Sequence, residues 1–320
     1  MQSAQVRAYR DLTRRRGGRP RGRRWASVWH HRWLYALLLP GLLFFIIYIY
    51  VPMLGNIIVF QDYNPFLGFS RSPWVGLLHF QRLFSEPDVG RVTVNTLVIS
   101  GLQILLAFPV PIVLALMLNE VRSQFCKRSV QSLIYLPHFI SWVIIVGIWA
   151  QLFSSNGLAN QVLETMGMQK VSFLTNPALF RPTFVLQTIW KESGWGTIIF
   201  LAALSGIDPQ LYEAAAMDGA SRWQRLWHIT LPGIMPIITI VLILRLGNVL
   251  STGFEHIFLL LNSSNEQVAQ VLDTFVYYRG LINGNFSFAT AVGLVKGIVG
   301  LFLVLATNAL AKRAGAGGIF

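Results

Sequence analysis

"EAAAMDGASRWQRLWHITLP", residues 213–232, interrupts two long runs of Leu, Ile, Val and Phe with two acids, two arginines, a histidine and a glycine. Local rules predict a helical hairpin here. Asp208 is a good N-cap, and Pro209 fits the first helical position, where a missing N–H costs nothing. "QLYEAAAM" supplies strong helix formers. Gly219 is placed to end that helix in a left-handed conformation. Ser221 is placed to cap a second helix, "RWQRLWHI", with Trp223, Leu226, Trp227 and Ile229 on an apolar face. Pro232 then opens the next apolar run. An element presenting apolar and charged groups together suits a seat in a partner's groove.

The flanks of this turn decide the class of protein. The chain has 320 residues, of which 54% are hydrophobic and 12% charged, with mean hydropathy +0.54. A soluble domain carries about 25% charged residues. Apolar windows of about 20 residues occur at 33–59, 92–118, 130–153, 182–206, 232–261 and 288–311. The expected fold class is therefore an all-α membrane protein with six transmembrane helices. Net charge is +13, but ten of the 26 basic residues are arginines between Arg7 and Arg32. The basicity belongs to a tail and not to a nucleic-acid-binding face. With the N-terminus inside, 17 basic residues fall in cytoplasmic segments, six in outer loops, and Lys191, Arg245 and Lys296 within spans. Both termini are expected in the cytoplasm.

The expected organisation follows from these spans. The tail 1–32 has too few apolar residues to fold; it suits anionic lipid headgroups or serves only to set topology. Residues 33–91 form the first helix and an outer loop. Residues 92–311 form a core of five helices with the hairpin at 208–231, and 312–320 a short cytoplasmic tail. Residues 154–167 suit a short interfacial helix. Cys126, the sole cysteine, excludes a disulfide within the chain. No cleavable signal is recognisable.

Glu213-Ala214-Ala215, three residues, Gly219, nine residues, Ile229, one residue, Leu231-Pro232 resembles the "EAA" signature of the inner-membrane permease subunits of binding-protein-dependent ABC importers. Residues 133–163 and 271–294 are similar to the carbohydrate branch, and within it to permeases for complex oligo- or polysaccharides such as alginate. The resemblance implies a type I importer fold in a bacterial inner membrane. It implies a second permease, two ATPase subunits that dock the hairpin, and an extracytoplasmic sugar-binding protein. By analogy Glu213 and Gly219 set the hairpin's shape, Ala214, Ala215 and Met217 face the ATPase, and Asp218 and Arg222 count among the ATPase-coupling residues. The chain has no G-x-x-x-x-G-K-[ST] loop, so ATP and Mg are expected on the partner ATPase, with no cofactor bound here.

Polar residues inside spans are costly and mark a candidate path. In the fifth span Arg245, Asn248, Thr252 and Glu255 recur at helical spacing, with His256 beside them. Lys191 and Trp195 repeat at four in the fourth span, where Trp190 could stack on a sugar ring, and Lys296 lies in the sixth. Each could equally pair structurally, for instance Lys191 or Arg245 with Glu255. The charges within spans leave a surplus of one positive, which suits an anionic, uronate-type sugar. The competing reading is an ion-coupled secondary transporter, which would need inverted repeats and broken helices. No catalytic or metal-binding spacing is present among the six histidines.

Overall fold

The computed structural model describes residues 31–313; the expectations for the tail before residue 31 and for 314–320 lie outside them. Among the described residues the chain is helical, with one isolated antiparallel bridge between Gln61 and Trp74. It divides into two units, Met1–Ile57 and Ile58–Phe320. In the first, α1 (Arg32–Phe45) leads into a π-turn at Ile46–Tyr50. The apolar helix that begins at Arg32 is counted to Phe60.

The second unit carries the site. It contains α2 (Leu78–Ser85), α3 (Pro87–Leu102), α4 (Pro109–Glu120), α5 (Gln124–Tyr135), α6 (Trp142–Leu152) and α7 (Leu158–Thr165). Then follow α8 (Pro177–Ser205), α9 (Pro209–Met217), α10 (Arg222–Arg225), α11 (Leu231–Gly247), α12 (Phe254–Leu260), α13 (Leu272–Tyr277) and α14 (Phe286–Arg313). The short helix predicted within 154–167 appears as α7. Between α3 and α4 the helix widens to a π-turn, where Phe108 N–H donates to Gln103 O at 2.9 Å just before Pro109. A widened turn lets a proline enter without stranding a donor.

Among the described residues four helices are long and apolar enough to cross a membrane: Arg32–Phe60, Pro87–Glu120, Arg222–Gly247 and Phe286–Arg313. A fifth is reached if Gln124–Phe139 and Trp142–Leu152, bent by 102°, count as one span. At 29 residues α8 is also long enough, about 43 Å at 1.5 Å per residue. It falls short on apolarity because its buried face carries Gln187, Thr188, Lys191 and Thr197.

Two predicted spans are not straight. The run 130–153 breaks after Pro137, where Leu136–Phe139 tightens to a 3-10 turn and Ile140 is extended (φ −84°, ψ 135°). Ser141 then caps α6 by accepting from Ile144 N–H at 3.4 Å. The run 232–261 ends its helix at Gly247 and resumes only at Phe254, with Gly253 at φ 87°. The helix expected as the sixth span, α14, includes Lys312 and Arg313, the last described residues.

Hydrogen bonds fix which ends of the helices lie together. Arg181 Nη2 donates to Asn95 Oδ1 at 2.9 Å, near the start of α8 and in the first third of the α3–α4 run. A Cβ on Gly196 would touch Pro111, further along both. Thus α3–α4 and α8 run in the same direction. The 262–270 segment joins their starting end, through Asn95 Nδ2 to Gln267 O (2.8 Å) and Asn262 Nδ2 to Leu174 O (3.3 Å). The 208–231 hairpin follows the end of α8 and lies at the opposite end of the bundle. Ala115, Phe200, Leu204 and Ile234 pack the hairpin end, and Ile99, Phe184, Ile257 and Val271 pack nearer the other. Lipid is as apolar as these side chains, so close backbone approach has to hold the helices. Glycines allow it: a Cβ on Gly194 would run into the Ile134 carbonyl, and one on Gly247 into Val304.

Candidate functional site

The hairpin is built as its local sequence prescribes. Asp208 Oδ1 accepts from Gln210 N–H at 2.9 Å, and Pro209 opens α9. Gly219 has φ 78°; its N–H donates to Ala216 O at 3.1 Å, and Ala220 N–H donates to Ala215 O at 2.9 Å. These two bonds close the glycine-ended helix stop that satisfies the last carbonyls. Ser221 and Gln224 form a reciprocal capping box, 3.3 and 2.7 Å. Tyr212 Oη lies 3.0 Å from Thr230 Oγ1 and ties the two arms together.

The second arm differs from expectation. No separate helix ends before Pro232; α10 passes through a π-turn at Leu226–Thr230 directly into α11. The expected apolar face also splits: Leu226 and Ile229 are half-buried, while Trp223 and Trp227 stand 71% and 63% exposed. Glu213, Ala214, Met217, Asp218, Gly219 and Arg222 are exposed, Met217 by 88%, and Ala215 is half-buried. The tip therefore presents a charged and apolar surface on a locally braced frame.

At mid-depth the predicted polar stripe does not exist as a helical stripe, because its helix ends at Gly247. Four short polar or small residues, Asn248, Ser251, Thr252 and Gly253, sit at the break, where side chains and backbone compete for the same bonds. Asn248 Nδ2 donates to Leu244 O at 3.0 Å, and Ser100 Oγ donates to Val249 O. Arg245 and Asn248 share a small cavity of about 50 Å³ with Ser100 and Gln103. On the other side Asn248 and Ser251 line a larger cavity of about 420 Å³ with Lys296, Asp273 and the Gly293, Gly297, Gly300 row of α14. Thr252 is buried with its hydroxyl unpartnered, and Glu255 is exposed.

Lys191 and His256 fall elsewhere, in a cluster that holds the bend between α5 and α6. Lys191 Nζ donates to Pro137 O (3.4 Å), His138 O (2.8 Å) and Ile140 O, and lies 5.2 Å from the Trp142 ring centroid. Trp142 stacks on His256 at 3.7 Å, and Phe184 covers the other face at 4.3 Å. His256 Nε2 lies 2.7 Å from Gln187 Oε1. A buried ammonium is tolerated when carbonyls replace its hydration, and carbonyls freed by a helix break need donors. Each need answers the other. His138 and Glu192 pair at 3.1 Å, with Trp195 stacked on His138 at 4.6 Å. Trp190 meets Trp149 edge-on at 6.3 Å.

The expected charge surplus is also corrected. Lys296 is paired with Asp273, which lies on α13, outside the predicted spans. Span charges and their partners then balance, so the surplus positive charge that favoured an anion is gone. Sequence reasoning missed Asp273 because only acids inside the apolar windows were counted. It read Arg245, Asn248, Thr252 and Glu255 as a helical stripe, although the small polar cluster at 248–253 is a break signal. Among the described residues no group of three His, Cys, Asp or Glu is placed to hold a metal ion.

Comparison with known proteins bears on this arrangement. Residues 107–315 match the family described as binding-protein-dependent transport system inner membrane component. The chain is 52% identical over 290 residues to the polygalacturonan/rhamnogalacturonan transport system permease protein YteP of Bacillus subtilis (strain 168), covering 90% of each. It is 48% identical to protein LplB of the same organism, over 92% of this chain and 93% of that one. Among solved structures, a chain of the bacterial alginate ABC transporter in complex with alginate pentasaccharide-bound periplasmic protein superposes with a TM-score of 0.86. That match is 41% identical and covers 92% of this chain and 99% of the other.

Proposed function

The chain belongs to the family of binding-protein-dependent transport system inner membrane components, and on that premise we propose how its parts divide the work of an importer. It is the membrane-spanning permease subunit of a sugar ABC importer, and not an enzyme. The ion-coupled reading is not favoured. We take the cargo to be an oligo- or polysaccharide of the acidic kind, on the similarity to the polygalacturonan/rhamnogalacturonan permease and to the alginate transporter.

In this proposal six segments cross the membrane: the four long apolar helices, the bent α5–α6 pair and α8. Both termini lie in the cytoplasm, with 1–32 as a tail on the inner leaflet, 33–91 as first span and outer loop, and 92–311 as the core. A second permease completes the path. Two ATPase subunits, which carry ATP and Mg, receive the hairpin through Glu213, Ala214, Ala215, Met217, Asp218, Gly219 and Arg222. An extracytoplasmic binding protein delivers sugar at the other end.

The observation that carries this division is the hairpin, a braced and exposed element at one end of a chain that has no phosphate-binding loop of its own. Work can then enter only through a partner. Closure of the ATPases would move α9 and α10, and α11 would transmit that motion to the break at 248–253. We assign the path to Arg245, Asn248 and Lys296, joined by Ser251 and Asp273, on the strength of the two cavities they line. Thr252 and Glu255 lie at and just after the break but line neither cavity; Trp195 stacks on His138 and Trp190 meets Trp149, while Lys191 and His256 frame the bend. The test is ATP hydrolysis by the reconstituted complex with its binding protein. Oligogalacturonate-loaded binding protein should stimulate hydrolysis, and stimulation by none of a panel of sugar-loaded binding proteins would overturn the reading.

A further inference from the structure

At the end of the bundle away from the hairpin, a cavity of about 470 Å³ opens between the start of α3 and the 261–283 segment. Its size lies within the range of about 300–1,000 Å³ usual for small-molecule sites. The floor is a closed ion network. Arg279 Nη2 lies 2.7 Å from Glu86 Oε1 and 3.1 Å from Asp88 Oδ2, and Arg91 Nη2 lies 3.0 Å from both Asp88 Oδ1 and Gln270 Oε1. Arg91 Nη1 also reaches Glu266 O at 3.3 Å. Ser263, Glu266, Tyr278 and Asn283 also line the cavity.

We propose that this cavity is an entry subsite that takes one sugar ring by its hydroxyls as the saccharide leaves the binding protein. The proposal rests on the reading of the chain as a saccharide-importer subunit. Its position is at the delivery end, opposite the hairpin. Its chemistry is that of a polyol site. The two arginines among the lining residues are already paired, Arg91 with Asp88 and Arg279 with Glu86 and Asp88, so no unmatched cation waits for a carboxylate. Every sugar hydroxyl both donates and accepts. The lining offers both roles: the Glu266 carboxylate accepts, the Asn283 amide does each with a different atom, and the Ser263 and Tyr278 hydroxyls do both. Acidic and neutral sugars should therefore enter it alike, with discrimination left to the deeper path.

The experiment uses the assembled complex of both permeases and the ATPases in nanodiscs, without binding protein. Trigalacturonate and its carboxyl-reduced counterpart are the probes, and affinity is read by saturation-transfer NMR. Both sugars should bind the wild-type complex with similar affinity. The Glu266→Ala/Asn283→Ala double variant, which removes two polar partners, should weaken both by about tenfold. Ser263→Ala on the exposed loop repeats the test if the double variant does not assemble with the ATPases. Unchanged affinity in the variant, or binding of the acidic sugar alone, overturns the subsite. So does a wild-type complex that binds neither sugar while the double variant loses binding-protein docking, which would make the cavity a peptide seat. These failures are distinct from failure of the importer reading, which would appear as no ATPase stimulation by any loaded binding protein.

Discussion

The hairpin at 208–231 and the bend at 136–141 are both interruptions of apolar helix, yet they are held in opposite ways. The bonds that shape the hairpin lie within it: Asp208 to Gln210, Ala215 to Ala220 and Ser221 to Gln224 at the caps and turn, and Tyr212 to Thr230 across the arms. The bend is held from α8, by Lys191 acting across more than fifty residues of chain and by the missing side chain of Gly194. A locally braced element can move as a unit against a partner. A break braced by tertiary contacts is fixed relative to its neighbours and suits a frame.

Substitutions can break this contrast, and the largest effect is expected at Gly194. A Cβ there meets the Ile134 carbonyl, a backbone atom that cannot swing aside. Gly194→Val should cost upwards of about 3 kcal/mol, at or beyond the upper end for overpacking. The loss would be read as failure of the complex to survive detergent extraction and gel filtration. Lys191→Met keeps the length of the side chain but leaves the carbonyls of Pro137, His138 and Ile140 without their donor. About 3 kcal/mol of stabilisation should go, on the order of one or two buried unsatisfied groups. Thermal unfolding followed by intrinsic fluorescence would register it. A Lys191→Met complex as stable as wild type would show that the bend is not held from α8.

At the hairpin the effects should be smaller and local. Ser221→Ala removes one half of the capping box and should cost about 1 kcal/mol. It should raise amide exchange in 221–225 with the rest of the bundle unchanged. Loss of protection at the bend from the same substitution would mean that the two interruptions are not independent.

The same contrast explains what the sequence disclosed. Helix caps and glycine stops act over three to five residues, so Asp208, Gly219 and Ser221 could be assigned their roles by inspection. Hydropathy located the long apolar runs, but it averages over the breaks inside them. Pro137 was visible, yet what it does depends on Lys191, far away in the chain. The run from Asn248 to Gly253 carried a readable signal, four small or polar residues in six, and the helical spacing of Arg245 to Glu255 masked it. The Asp273–Lys296 pair was hidden because a carboxylate from a short helix outside the predicted spans reaches a lysine within α14. The 470 Å³ cavity joins the start of α3 to a segment some 180 residues later, a proximity that no local rule supplies.

The central claim is that work enters the path through the hairpin, and Gly219 tests it most directly. A Cβ at Gly219 would meet no neighbour, so a substitution there acts only through its φ of 78°. Asn visits the left-handed region readily, while a β-branched residue pays about 1–2 kcal/mol or more to do so. Sugar uptake and ATP hydrolysis should therefore be measured together in proteoliposomes for wild type, Gly219→Asn and Gly219→Val. The account predicts near wild-type uptake per ATP for Gly219→Asn and severalfold less for Gly219→Val, with the protein still in the membrane. Wild-type uptake per ATP in Gly219→Val would contradict it.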